Sequence, residues 1–211
     1  MDLVAFDFDG TLSDSEMTVL LGRERGVAEE MAAITERAMN DEIDYATSLR
    51  RRAALLDGLP EAAAERAYGE VALRPDAADV IRSLREAGVH VAILTGGFER
   101  GVRAALDAEG VAVDSVVANR LPIVDGELTG DVEGPLVEGT KDDALAALAS
   151  DLGVDLEDAA AVGDGANDLP MLEVAGLAVG FAPKPAVAPV CDVIVESMAE
   201  LADVLSTRRV V

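Results

Sequence analysis

Three short apolar runs, at residues 3–6, 89–94 and 159–162, constrain this 211-residue chain more than any other feature. Each is β-branched or Ala-rich and does not alternate with polar residues, the pattern of a strand buried on both faces. Each runs into polar residues and glycine, and then into a helical pattern. Helices over 76–87 and 141–152 lie between them, and the alternation predicts a parallel α/β sheet. The runs 177–181 and 193–195 extend that sheet, and a helix over 197–205 closes the chain. Residues 122–134, centred on Asp125-Gly126, predict a hairpin near the sheet edge.

One segment breaks the rhythm. From residue 15 to 74 there is no strand pattern, only helical stretches punctuated at Gly26, Asn40-Asp41 and Gly58-Leu59-Pro60. The expectation is a small helical cap, 15–74, inserted after the first strand of a core made from 1–14 and 75–211.

Half the residues are apolar but only 3% are aromatic, so the core must be built from Ala, Val, Leu and Ile. No apolar run is long enough to span a bilayer, and Asp2 followed directly by Leu3-Val4-Ala5-Phe6 does not read as a secretion signal. A single cysteine, Cys191, allows no internal disulfide and suits a reducing cytoplasm. The net charge of −24 argues against a nucleic-acid partner, whose phosphates this surface would repel. Of 17 basic residues only Lys141 and Lys184 are lysines. Excess acid with scarce lysine predicts a protein adapted to concentrated salt, where screening relieves self-repulsion.

In a parallel sheet, the loops at the carboxyl ends of the strands form the ligand crevice. The first strand exits into Asp7-Phe8-Asp9-Gly10-Thr11. Two carboxylates two apart are no signal by themselves, because Asp14/Glu16, Glu42/Asp44, Asp131/Glu133 and Asp155/Glu157 repeat the spacing. The company they keep is the signal. The second strand leads to a loop Thr95-Gly96-Gly97-Phe98, and the third to Gly163-Asp164-Gly165-Ala166-Asn167-Asp168. Lys141 follows Thr140, an N-cap candidate with Asp143 as its capping-box partner, which places the ammonium near the positive end of a helix dipole.

Together these parts form a phosphoryl-transfer site. Asp7 can attack phosphorus as a nucleophile and split hydrolysis into two steps through an acyl phosphate. Asp9 can protonate the leaving oxygen and later activate water. Asp7, the main-chain carbonyl of Asp9 and Asp164 suit Mg²⁺, which takes about six oxygen ligands and keeps waters and a phosphate oxygen among them. Thr95, the Gly96-Gly97 amides and Lys141 can neutralise the phosphoryl oxygens. Singly each piece has a plainer reading: a Gly-rich turn, acids at a helix N-terminus, a solvated lysine. A lysine kept at a helix start in an arginine-rich chain favours function, since a compact point charge serves phosphate well.

Arg52 stands out on a helix over 43–56. Ala46, Leu49, Ala53 and Leu56 share one face; Arg52 borders it while Arg50 and Arg51 point outward. An arginine turned toward an apolar interior needs an anion, either a structural carboxylate or a substrate's. Glu16, from spacing alone, reads as a solvated glutamate.

These motifs resemble the haloacid dehalogenase superfamily, with its Asp-x-Asp-x-Thr, Ser/Thr, Lys and Gly-Asp-x-x-x-Asp motifs, and within it the phosphoserine phosphatase family. The stretches "FDFDGTL", "SLRRRAALL", "GGFERGV", "ANRLPIVDGELTGDVEGP" and "AVGDGANDLPML" carry the likeness over nearly the whole chain. The resemblance implies a doubly wound, Rossmann-like core with a helical cap, and hydrolysis of O-phospho-L-serine through a phosphoaspartate. It makes Asp7 the nucleophile, Asp9 the acid/base, and Asp7, Asp9 and Asp164 the Mg²⁺ ligands, with Asn167 and Asp168 behind them. Glu16 and Arg52 would grip the ammonium and carboxylate of serine, with Met39 and Tyr45 near the pocket. Thr95 replaces the family's usual serine and Tyr45 its frequent phenylalanine, which leaves the exact substrate open.

Three rivals are weaker. Another small-molecule phosphatase or phosphotransferase, acting for example on phosphoglycolate, would not need the paired charges of Glu16 and Arg52. A phosphoacceptor signalling domain would need neither Asp9 nor an insert over the site. Dinucleotide binding fails because "GDGAND" lacks the last glycine of its fingerprint.

Overall fold

The computed structural model describes residues 1–39 and 42–207, without the side chain of Met39. The pocket position expected of Met39 and the break at Asn40-Asp41 therefore lie outside the described residues. In chain order the structure runs β1 (Leu3–Phe6), α1 (Met17–Arg25), α2 (Ala28–Met39), α3 (Tyr45–Ala54), α4 (Glu61–Gly69), α5 (Ala77–Glu86), β2 (His90–Phe98) and α6 (Glu99–Ala108). It continues with β3 (Ser115–Asn119), β4 (Ile123–Val124), β5 (Glu127–Leu128), α7 (Lys141–Leu152), β6 (Ala159–Gly163), α8 (Leu169–Val174), β7 (Leu177–Phe181), β8 (Val193–Val195) and α9 (Met198–Thr207).

Six strands form one parallel sheet in the order β3-β2-β1-β6-β7-β8. The chain leaves β1 toward β2 on one side and pairs with β6 on the other, so the order reverses at β1. The crevice outside the carboxyl ends of β1 and β6 is where such a sheet takes its ligands. Every residue of β1, β6 and β7 is buried, as their unalternating sequences require. Successive residues serve opposite layers. Val4 and Phe6 pack with residues of α5, α6 and α9. Leu3, Ala5 and Ala161 pack with Leu145 and Ala149 of α7 and Met171 and Leu172 of α8. The alanines of β6 bring that second layer close, in keeping with a core short of aromatics.

Helices α1 to α4 fill the interval between β1 and α5. Both ends of that insertion are stitched to one another: the Ser13 hydroxyl donates to the Ala72 carbonyl at 2.7 Å. Leu49, Ala53 and Leu56 are buried, and Arg50 and Arg51 are exposed, as the periodicity of α3 requires.

Two details differ from the sequence reading. Thr95-Gly96-Gly97 is not a loop after β2 but its irregular end, where the pairing with β3 slips register between Leu94 and Phe98. Strand β3 has no counterpart among the apolar runs: it is a partly exposed edge whose only apolar signal is Val116-Val117-Ala118. The β4–β5 hairpin forms about Asp125-Gly126 and also pairs with the insertion. Gly58 donates to the Leu128 carbonyl at 2.9 Å, and Leu128 donates to the Leu59 carbonyl at 2.9 Å.

Candidate active site

The β1–β6 pairing continues one step past the strands, as the Asp7 amide donates to the Val162 carbonyl at 2.8 Å. That bond turns the Asp7 side chain out at the top of the sheet beside the β6 loop. Gly10 then takes φ +93°, and a Cβ there would lie 2.5 Å from Asp164 Oδ1, so only glycine lets the two loops close on each other. Thr11 and Ser13, both buried, complete the loop.

Lys141 opens α7 and is itself buried. Its ammonium lies 2.5 Å from Asp7 Oδ1 and 2.5 Å from Asp168 Oδ1. Burial works against that charge, but Asp168 and Asp7 together hold its pKa above the ordinary lysine value. Thr140 caps differently from expectation. Its hydroxyl donates to Asp143 Oδ2 at 3.3 Å rather than accepting a main-chain N–H, because the capping position is exposed and both side chains are free to meet. Asp168 shapes the loop it ends: its Oδ2 accepts from the amides of Asp164 at 3.0 Å and Gly165 at 2.9 Å.

Asp7, Asp164 and Asp168 each offer an oxygen within 4.8 Å of the others. All-oxygen, carboxylate-rich donors suit a hard divalent cation and not one that seeks thiolate. Asp168 is already committed to Lys141 and two amides, which leaves Asp7 and Asp164 as the freer donors. The residues fit a metal of this class.

Burial, followed by the charge of Asp168, pushes Asp7 up to about 7, against the lowering pull of Lys141. Asp9 lies two residues on with its carboxyl turned inward. Its pKa is well above the usual carboxylate range, first through burial and then through Glu16 and Asp7. Its Oδ1 is buried without a hydrogen-bond partner. A Cβ on Gly97 would meet Asp9 Oδ2 at 3.0 Å and Thr95 Oγ1 at 3.1 Å, so this glycine keeps open the space between them. Thr95 is buried and its hydroxyl accepts from the Gly97 amide at 2.9 Å.

Over this floor lies the insertion. Arg52 is half-buried, and its Nη1 donates to the Thr18 hydroxyl at 3.3 Å. Its Nε is buried without a partner, and among the described residues no carboxylate forms an ion pair with it. Burial lowers its pKa from the ordinary arginine value, against the opposing pull of Tyr45, Glu16 and Asp9. Glu16 immediately precedes α1 and stays exposed. Tyr45 sets its hydroxyl directly over Gly96. Asn167 is exposed on the β6 loop, with its Oδ1 where a Gly165 side chain would stand.

The structure thus gathers Asp7, Asp9, Thr95, Gly96, Gly97, Lys141, Asp164, Asn167 and Asp168 at one end of the sheet, with Glu16 and Arg52 above. It adds residues that the motifs did not single out. Asn119, buried at the end of β3, donates from Nδ2 to the Gly96 carbonyl at 3.1 Å. Arg74 donates to the carbonyls of Thr11 and Gly10, both at 3.0 Å, and lies over the Phe181 ring. Lys184 reaches Asp164 from the end of β7. Only for Lys184 was a signal available, its rarity.

The profile of the haloacid dehalogenase-like hydrolases matches residues 4–173. A phosphoserine phosphatase of Halobacterium salinarum is 58% identical over 205 residues, 97% of either chain. The phosphoserine phosphatase of Methanocaldococcus jannaschii is 40% identical over 195 residues, 92% of either chain. Among solved structures, a phospho-aspartyl intermediate analogue of phosphoserine phosphatase superposes with a TM-score of 0.88 at 39% identity, covering 98% of both chains. A substrate-bound phosphoserine phosphatase complex gives 0.88 at 38% identity, covering 98% of this chain and 97% of that one.

Proposed function

We propose that this chain, which belongs to the haloacid dehalogenase-like hydrolase family, hydrolyses O-phospho-L-serine to L-serine and phosphate. The relatives named above support the reaction; the site supports the way it runs. Asp7 attacks phosphorus, the ester P–O bond breaks, and Asp9 gives its proton to the departing seryl oxygen. Asp9, now ionised, takes a proton from water as that water attacks the same phosphorus. The P–O bond to Asp7 breaks, its carboxylate is restored, and phosphate leaves.

Asp9 suits the first role because burial favours its protonated form. Lys141 favours the ionised form of Asp7 and offers its charge to the phosphoryl group, as do Thr95 and the Gly96-Gly97 amides. Asp7, the Asp9 main-chain carbonyl and Asp164 would hold Mg²⁺, which supplies further charge for the phosphoryl oxygens when bound. Residues 15–74 act as the cap that covers the reacting centre, over a core of 1–14 and 75–211. We place the enzyme in the cytoplasm, in concentrated salt, with no nucleic-acid partner; the charge of −24 supports the last two.

Arg52 carries the choice of substrate. A half-buried guanidinium with an unpartnered Nε and no carboxylate partner among the described residues wants an anion from outside. With Glu16 nearby it matches the two charges of an amino acid. A panel of phosphomonoesters assayed with Mg²⁺ at low and molar KCl tests this. Phosphoserine should give the highest kcat/KM, and a clear preference for phosphoglycolate would overturn the assignment.

A further inference from the structure

Lys184 is one of the chain's two lysines, and both end on carboxylates of this site. Its Nζ lies 3.1 Å from Asp164 Oδ2, while its own amide donates to the Asp164 carbonyl at 2.9 Å. A half-exposed ion pair means little alone. Here the backbone is bent to make it. Ala182, between β7 and Pro183, takes φ +40°, a left-handed conformation rare for alanine and rarer before proline. The turn is held on both sides: the Ala182 amide donates to the Val195 carbonyl at 2.8 Å, and the Lys184 carbonyl accepts from Val187 at 2.9 Å. Strain that the surroundings maintain in this way marks places where geometry matters.

The far oxygen of Asp164 tells what the geometry serves. Oδ1 faces the β1 loop, against the Gly10 Cα and 3.5 Å from the Thr11 hydroxyl. With Oδ2 paired to Lys184, rotation of the carboxylate is restrained and its other oxygen stays turned toward the β1 loop. The ammonium passes 3.4 Å from where a Gly165 side chain would begin, close against the loop that carries Asp164.

We propose that Lys184 is a positioning residue that fixes the Asp164 carboxylate for metal binding. The proposal rests on the reading that Asp164 is a ligand of the divalent cation. Partners that orient a ligand from outside the coordination sphere typically change metal affinity by about 10- to 100-fold when removed.

The test is calorimetric titration of the substrate-free protein with Mg²⁺ alone, in molar KCl, for the parent, Lys184→Met, Lys184→Arg and Asp164→Asn. Lys184→Met should weaken Mg²⁺ binding by about 10- to 100-fold, and Lys184→Arg should recover part of the loss. At saturating Mg²⁺ the KM for phosphoserine should stay at the parent value. Lys184 is half-exposed, so these variants should fold; Lys184→Gln replaces Lys184→Met if its melting curve is not cooperative. Unchanged or tighter Mg²⁺ binding in Lys184→Met would overturn the proposal, the latter by making Lys184 a competitor of the metal. Parent-like binding in Asp164→Asn would instead remove the metal-site reading on which the proposal stands.

Discussion

The hydroxyl of Tyr45, at the first turn of α3, rests on the Cα of Gly96 in the irregular end of β2. An added methyl group at Gly96 would overlap it, so the glycine is needed for the insertion to close on the floor of the site. Gly96→Ala should therefore lower kcat/KM for phosphoserine by about tenfold or more, as a small displacement of a segment proposed to bind the phosphoryl group would. The loss should be smaller in the Gly96→Ala, Tyr45→Ala double variant than the two single losses combined, because the two positions share one contact. Additive losses would show that the contact plays no part in closure.

Asp7 makes the metal-free protein sensitive to pH. Its pKa rises from 3.8 to about 7 on folding, chiefly through burial. The folded state thus keeps a proton that the unfolded chain releases near pH 4, and stability falls as pH rises from about 4 toward 7. Asp9, raised for the same first reason, adds to the trend. In EDTA, Asp7→Asn should melt above the parent at pH 7.5, with the gap narrowing steadily as pH falls toward about 4. Parallel melting temperatures for the two proteins across that range would contradict this origin of the pH dependence.

On the proposed reading, Arg52 and Glu16 divide the substrate's two charges. Arg52→Ala should cost phosphoserine one charge-assisted contact, about 1.5–3 kcal/mol, or roughly ten- to a hundredfold in kcat/KM. Phosphoethanolamine, which has no carboxylate, should lose far less. Glu16→Gln should hurt phosphoserine and phosphoethanolamine and spare phosphoglycolate, which has no amine. Equal losses on all three esters for both variants would mean these residues organise the insertion and do not read serine.

Salt should stabilise the whole chain. At a net charge of −24, self-repulsion is felt over a Debye length of about 30 Å at 0.01 M salt but only about 3 Å at 1 M. The melting temperature should climb from dilute to molar KCl. A flat profile would refute adaptation to salt and leave the catalytic account intact.

What the sequence displayed and what it hid follow from one distinction. Leu3–Phe6 and Ala159–Gly163 were legible because strands buried on both faces cannot afford polar residues, and the loops after them carry Asp7, Asp9 and Asp164. Edge strand β3 needs no such purity, so Ser115–Asn119 gave no pattern. Arg52 was legible because helical periodicity places it at an apolar border; its approach to Thr18, 34 positions away, is a tertiary fact. Lys184 follows the β7 strand end between two prolines with no acid beside it in sequence, and the turn at Ala182 brings it to Asp164. Tyr45 over Gly96 joins insertion to core across 51 positions and had no local signature at all.

Covalent catalysis at Asp7 is the centre of the account, and trapping it is the direct measurement. Phosphoserine labelled in its phosphoryl group is mixed with the Mg²⁺-loaded enzyme and quenched in acid within milliseconds. The protein should carry acid-stable, base-labile label, and a peptide digest should place that label on Asp7. Asp9→Asn should still fold but turn over about 10²–10⁴-fold more slowly, and Asp7→Asn should carry no label. Turnover of phosphoserine with no label on Asp7 at any quench time would contradict the mechanism.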